Sequence, residues 1–250
     1  MNTKNGAIMK KIYEKSEILF SVLWIVAYCV LMSIGDSLSS SLGVEKSVTL
    51  PVGTVLSLVL LLFLKNNGLF KRYGLCRPSA SARSMLYYLP LLLLLTANLW
   101  FGVRSSCGAL ETALYIGSML CVGFLEEIIF RGLLFNAMRG DSPRLAVIVS
   151  SVTFGIGHII NLFNGSGAEL VPNLLQVVYA TAAGFMFTMI YLRSESLTVC
   201  IVTHGVFNAL SVFAVTPVGM TERIVSCIGL TLISVLYALW IALDIRRNGK

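Results

Sequence analysis

Residues 112–138 read TALYIGSMLCVGFLEEIIFRGLLFNAM, and this run decides the fold. It holds 27 residues with only three charges, Glu126, Glu127 and Arg131. A helix rising 1.5 Å per residue needs about 20 apolar residues to cross ~30 Å of hydrocarbon, so the run is long enough to span a membrane. The rest of the chain agrees with that reading. Of 250 residues 56% are hydrophobic and 12% charged, with a mean hydropathy of +0.84. A soluble domain carries roughly 25% charged residues; this chain lacks the polar groups to cover a globular surface.

Working outward, further apolar runs fall at 17–36, 48–64, 85–103, 145–163, 171–192, 197–216 and 224–244, which makes eight with the first. The expected fold is an all-α integral membrane bundle of about eight transmembrane helices. Connections are short and no internal repeat is visible, so residues 1–250 read as a single polytopic membrane domain with a motif-bearing core at about 112–216.

The net charge of +7 invites a nucleic-acid reading, but its distribution decides otherwise. With the N-terminus inside, fifteen Lys and Arg fall on inside segments, three (Lys46, Arg104 and Arg223) on outside segments, and Arg131 within a span. That asymmetry follows the positive-inside rule and predicts both termini cytoplasmic. No compact basic patch with interleaved aromatics points to nucleic acid. The inside connection from Lys65 to Ser84 holds five basic residues and Pro78; it reads either as a stretch lying on lipid headgroups or as an ordinary positive-inside loop. The lysines and apolar stretch at the N-terminus resemble a signal peptide, but the stretch to Ile34 is long and no small-residue cleavage site closes it. An uncleaved first helix is expected. The six cysteines show neither CxxC spacing nor a paired framework and carry no assigned chemistry.

In lipid, a buried ionisable group costs a few kcal/mol or more and marks a functional candidate. Glu126 and Glu127 sit in mid-span, and both histidines of the chain, His158 and His204, also fall inside spans. Helical rise places Glu126 roughly 18 Å, His158 roughly 20 Å, His204 about 10 Å and Asn208 roughly 17 Å from the inside ends of their spans. Within the uncertainty of span boundaries, three helices bring polar groups to one layer. Glu127 and Arg131 stand at i,i+4, the spacing of a helical ion pair, and a guanidinium cannot shed its proton. Glu126 lies 100° round the helix, turned from that pair and available as a general base. His204 and Asn208 share a face at i,i+4, as do Phe154 and His158, with Gly155 and Gly157 permitting close helix approach. Each pattern alone has a structural alternative, as a helix-bridging ion pair or interhelical hydrogen bonding. Their conjunction implies a site.

These residues resemble the CPBP family of CAAX proteases and bacteriocin-processing enzymes, whose signature is EExxxR, then FxxxH, then HxxxN or HxxxD, each on its own transmembrane helix. The chain carries Glu126-Glu127-Ile128-Ile129-Phe130-Arg131, Phe154-Gly155-Ile156-Gly157-His158 and His204-Gly205-Val206-Phe207-Asn208, in that order. The resemblance implies eight helices around a polar intramembrane cavity reachable from the cytosolic side and, in some members, from lipid. It implies an intramembrane endopeptidase in which Glu126 and His158 activate water, His204 and Asn208 stabilise the oxyanion, and Glu127 and Arg131 orient Glu126. The expected partners are a peptide or lipidated protein substrate and membrane lipid. No cofactor is required; the alternative is a zinc ion held by two histidines and a carboxylate, although no HExxH is present. A reading from another class also stands: a non-catalytic scaffold, immunity factor or transporter using the same polar cluster. Chain length and short loops suggest a bacterial plasma membrane.

Overall fold

A computed structural model describes residues 3–104, 107–164, 167–215 and 219–247. The expected span end at Thr216 and the charge on Lys250 lie outside the described residues. The described residues are helical throughout, apart from turns and one isolated bridge between Val103 and Ala214. In chain order the helices are α1 (Thr3–Lys15), α2 (Glu17–Leu42), α3 (Thr49–Asn66), α4 (Arg83–Leu99), α5 (Ala109–Arg139), α6 (Pro143–Leu162), α7 (Leu170–Ser194), α8 (Thr198–Phe213) and α9 (Met220–Arg247).

Six of these, α2, α3, α5, α6, α7 and α9, are long and apolar enough to cross a membrane. The runs expected at 85–103 and 197–216 are α4 and α8, which are helical but fall short, at 17 residues or fewer. The cause in α4 is local. Leu86, Tyr87 and Tyr88 take left-handed backbone angles with φ between 48° and 57°, which interrupts the helix. Helix α1 was not expected. It ends where the Ser16 hydroxyl accepts from the Leu19 amide at 3.1 Å and starts α2, and it is held by edge-on packing of Tyr13 against Phe20, Phe63 and Tyr73.

Helix α5 is the axis of the molecule. Its first half packs on α3 and α8, its middle on α2 and its end on α6, while α7 packs between α6 and α9. Lipid tails are as apolar as leucine, so close backbone approach rather than hydrophobic exclusion holds such helices together. Gly123 of α5 lies so near α8 that a Cβ there would stand 2.5 Å from the Gly205 amide nitrogen. A Cβ on Gly155 would stand 2.8 Å from the Thr181 nitrogen, which locks α6 on α7. These two contacts bring the motif-bearing helices together at the level of the polar residues.

Most of the basic residues of the described chain gather at one end of the bundle, where α2 and α6 begin and α3, α5, α7 and α9 finish. A cavity of about 810 Å³ lined by Lys71, Arg72, Asn136, Arg139 and Tyr191 indents that end, and between it and the polar residues the interior is filled. Leu60, Phe63, Leu64, Tyr73, Phe135 and Ile190 are each no more than 1% exposed.

Candidate active site

The site is built on the middle of α5, and its deepest part is an ion pair. Arg131 Nη1 donates to Glu127 Oε1 at 3.0 Å, and both side chains are fully buried. The guanidinium also lies over the Phe154 ring at 4.0 Å, a cation–π contact that supplies part of the lost hydration. The i,i+4 expectation for this pair is met as geometry.

His204 joins that pair to Glu126. Its Nδ1 stands 2.8 Å from Glu127 Oε1 and its Nε2 stands 3.3 Å from Glu126 Oε2. One imidazole thus lies between the two carboxylates, stacked on Phe187 and edge-on to Phe154. The Nδ1 contact is a hydrogen bond, and the longer Nε2 contact sets the ring beside the Glu126 carboxyl. Glu126 Oε1 accepts a further bond, from the Tyr28 hydroxyl of α2 at 2.6 Å. Glu126 is therefore turned from Arg131, as its 100° offset predicts, but it is not free of partners.

His158 arrives from α6, where the helix tightens into a 3-10 turn over His158–Leu162. Its Nδ1 lies 3.2 Å from the Phe154 carbonyl, which can only accept, so Nδ1 carries the hydrogen and Nε2 is left with a lone pair. The His158 carbonyl accepts from Asn173 Nδ2 at 2.9 Å, which fixes the turn to α7. Glu126, His158 and Asn208 all line one cavity of about 420 Å³, with Tyr28, Asn161 and Gln176 among its other walls. His204 stands behind them, 6% exposed.

The backbone under the site is unusual. From Glu127 to Leu134 α5 takes the wider π form, which inserts at functional positions and disturbs the carbonyl ladder. Side chains supply donors there: Ser150 Oγ to the Phe130 carbonyl at 2.8 Å, and Asn136 Nδ2 to the Gly132 carbonyl at 2.6 Å. In hydrocarbon an unmatched carbonyl costs several kcal/mol, so these two polar side chains stabilise the distorted segment.

Of the two residues that the resemblance implies as oxyanion donors, His204 has both nitrogens against carboxylates and Asn208 lines the cavity wall. The resemblance implies a cavity reachable from the cytosolic side and, in some members, from lipid. Its walls include Asp36, Lys46, Thr49, Asn164 and Ala168, at the end of the bundle away from most of the basic residues. Sequence reasoning also missed Tyr28 and Asn98, whose Nδ2 donates to the Phe207 carbonyl at 2.6 Å and braces α8. A single tyrosine or asparagine in an apolar run carries no periodic signal.

Among the described residues no group of three or more His, Cys, Asp or Glu side chains is arranged to hold a metal ion. A zinc ligand must present a lone pair to the ion, and His204 has both nitrogens turned to carboxylates. The donor set as it stands does not fit the zinc alternative.

Residues 108–210 match the family model described as type II CAAX prenyl endopeptidase Rce1-like. No curated protein and no solved structure matches the chain. The matched stretch runs from the start of α5 to the Asn208 end of α8 and contains all six candidate site residues. It is a domain of this family, a class of intramembrane peptidases.

Proposed function

We propose that this chain, which carries an Rce1-like CAAX endopeptidase domain over residues 108–210, hydrolyses a peptide bond of a membrane-associated peptide or lipid-modified protein through a water activated by Glu126. The observation that carries the reading is the convergence of Glu126, His158 and Asn208 on one cavity, with Glu126 held from behind by Tyr28 and His204. In the reaction, the water oxygen adds to the scissile carbonyl carbon while its proton passes to Glu126, and His158 Nε2 orients the water as a hydrogen-bond acceptor. Asn208 donates to the developing oxyanion, a contribution of about 3–4 kcal/mol in a water-poor site. Glu126 then returns the proton to the leaving nitrogen, the C–N bond breaks, and a carboxylic acid and an amine depart. His204 acts through Glu126: it stands between that carboxyl and Glu127 and so ties the base to the Glu127–Arg131 pair. No metal takes part.

The chain crosses the membrane eight times in this reading, with α4 and α8 as the two short crossings and both termini cytoplasmic in a bacterial plasma membrane. The charge asymmetry of the connections supports that orientation.

The test is cleavage of a candidate membrane-bound substrate by purified protein in detergent. Glu126→Gln and His158→Ala should remain folded and lose turnover. Asn208→Ala should lose about 10²–10³ in rate, the usual cost of one oxyanion donor. Wild-type activity should survive prolonged chelation. Full turnover in Glu126→Gln would refute the reading and favour a binding role for the same cluster; activity silenced by chelation and restored by zinc would overturn the metal-free chemistry alone.

A further inference from the structure

We infer that the substrate segment enters from the extracytoplasmic side, so that this peptidase acts on exported or outward-facing polypeptide rather than on a cytosolic C-terminus. The inference rests on the peptidase reading above and deepens it by naming the face on which the scissile segment is presented.

Three observations carry it. The first is the direction of the cavity. Along α2 it is lined by Tyr28, Met32 and then Asp36, running from mid-helix toward the Leu42 end. Along α5 it is lined by Tyr115, Met119 and Glu126, from near the Ala109 start down to the site. From α8 it takes Phe207, Asn208 and Ser211, at the end of that helix. Apart from Phe130 and Phe154, which floor the cavity beside Glu126 and His158, the lining comes from the parts of the helices between the site and the same end of the bundle.

The second observation is what lies on the other side of Glu126. Ile128, Ile129, Leu133, Leu134 and Phe135 follow it on α5, each no more than 3% exposed, in the same buried core as Leu60, Leu64 and Ile190. A peptide cannot pass this layer without separating α5 from α2 and α6, which pack on that segment.

The third is charge. The closed end holds Lys65, Lys71, Arg72, Arg77, Arg83, Arg139, Arg144, Arg193, Arg246 and Arg247 at helix ends and connections. The open end holds Lys46, Arg104 and Arg223, and Lys46 is neutralised by Asp36 at 2.8 Å. The positive-inside rule places the closed end in the cytoplasm, and hence the mouth outside.

The mouth suits a neutral, extended peptide. Its volume of about 420 Å³ lies within the ordinary range of ligand sites, about 300–1,000 Å³. Ser33 and the hydrogen-bonded pair Asn161–Gln176 give the wall polar side chains along the way to Glu126. A chain released by an exporter, or the outward flank of a membrane-anchored precursor, has that chemistry and is delivered to that side.

The experiment uses full-length protein in native membrane vesicles of either orientation and a charged, membrane-impermeant thiol reagent. All six native cysteines are replaced by serine, and one cysteine is returned at a time, as Ser33→Cys in the cavity wall or Ser81→Cys in the exposed connection before α4. The inference expects Ser33→Cys to be labelled only in right-side-out vesicles and Ser81→Cys only in inside-out ones. Labelling of both from the inside, or the reverse assignment with Ser33→Cys reached from the cytoplasm, overturns it. Absence of Ser33→Cys labelling from either side, in vesicles where Ser81→Cys reacts, also overturns it, because the cavity would then not be the route. Labelling needs no turnover, so it is unaffected if Glu126→Gln proves that the chain is not a peptidase, and the two readings fail separately.

Discussion

Replacing Arg131 by alanine tests the foundation of the site. In the wild type its guanidinium has no exposure, donates to Glu127 at 3.0 Å and covers the Phe154 ring at 4.0 Å. Removing it leaves the Glu127 carboxylate in a low-dielectric interior, and breaking a buried pair in this way typically costs about 3–5 kcal/mol. His204 Nδ1 still stands 2.8 Å from the same oxygen, so the lower end, about 3 kcal/mol, applies. At about 2–4 °C per kcal/mol for a chain of this size, the melting temperature in detergent should fall by about 6–12 °C. Glu127→Gln removes the stranded charge, so the double variant Arg131→Ala with Glu127→Gln should melt well above Arg131→Ala alone. Thermal unfolding followed by intrinsic fluorescence, with cleavage rates on the same preparations, measures both effects. An unchanged melting temperature and full turnover in Arg131→Ala would refute the reasoning, as would a double variant no more stable than the single one.

Two further outcomes follow from contacts of the site. Tyr28→Phe removes the hydroxyl that donates to Glu126 at 2.6 Å; a hydrogen bond to a charged group contributes about 1.5–3 kcal/mol to stability, so the variant should melt below wild type and turn over more slowly, and unchanged kcat in a steady-state assay would show that the bond has no part in holding the base. Gly123→Ala sets a Cβ 2.5 Å from the Gly205 nitrogen and must push α5 and α8 apart, separating His204 from both glutamates; loss of turnover together with a lower melting temperature is expected, whereas Ala at Gly108, where a Cβ meets nothing within 4 Å, should melt like wild type.

Much of this was legible in the chain because lipid penalises polar groups. The apolar runs located every long helix, and the few ionisable groups inside them located the site, since Glu127, Arg131 and His204 would be costly anywhere without partners. The i,i+4 rule identified the ion pair because it concerns one helix. It could not say which atoms across helices would meet. Glu126 and Glu127 point in different directions, yet His204 reaches both because its two ring nitrogens lie on opposite edges. Tyr28 is 98 residues from Glu126 in sequence, and only the packing of α2 on α5 brings them together. Helical rise gave a common depth but not the open side. The clue lay in His158, five residues from residue 163 at the far end of its expected span and thirteen from the near end. The short α4 was hidden for another reason: hydropathy is blind to backbone angles, and nothing in Leu86-Tyr87-Tyr88 announces a left-handed turn.

The π segment of α5 also settles how one helix serves several neighbours. A regular α-helix keeps a single apolar stripe in phase along its length. Each wide turn spends an additional residue, so the stripe after Leu134 is out of phase with the stripe before Glu127. The upstream stripe meets α3 and α8, and the downstream one meets α6. Glu126 and Glu127 sit at the boundary where the phase slips, so the face that carries the site upstream is not the face that packs downstream.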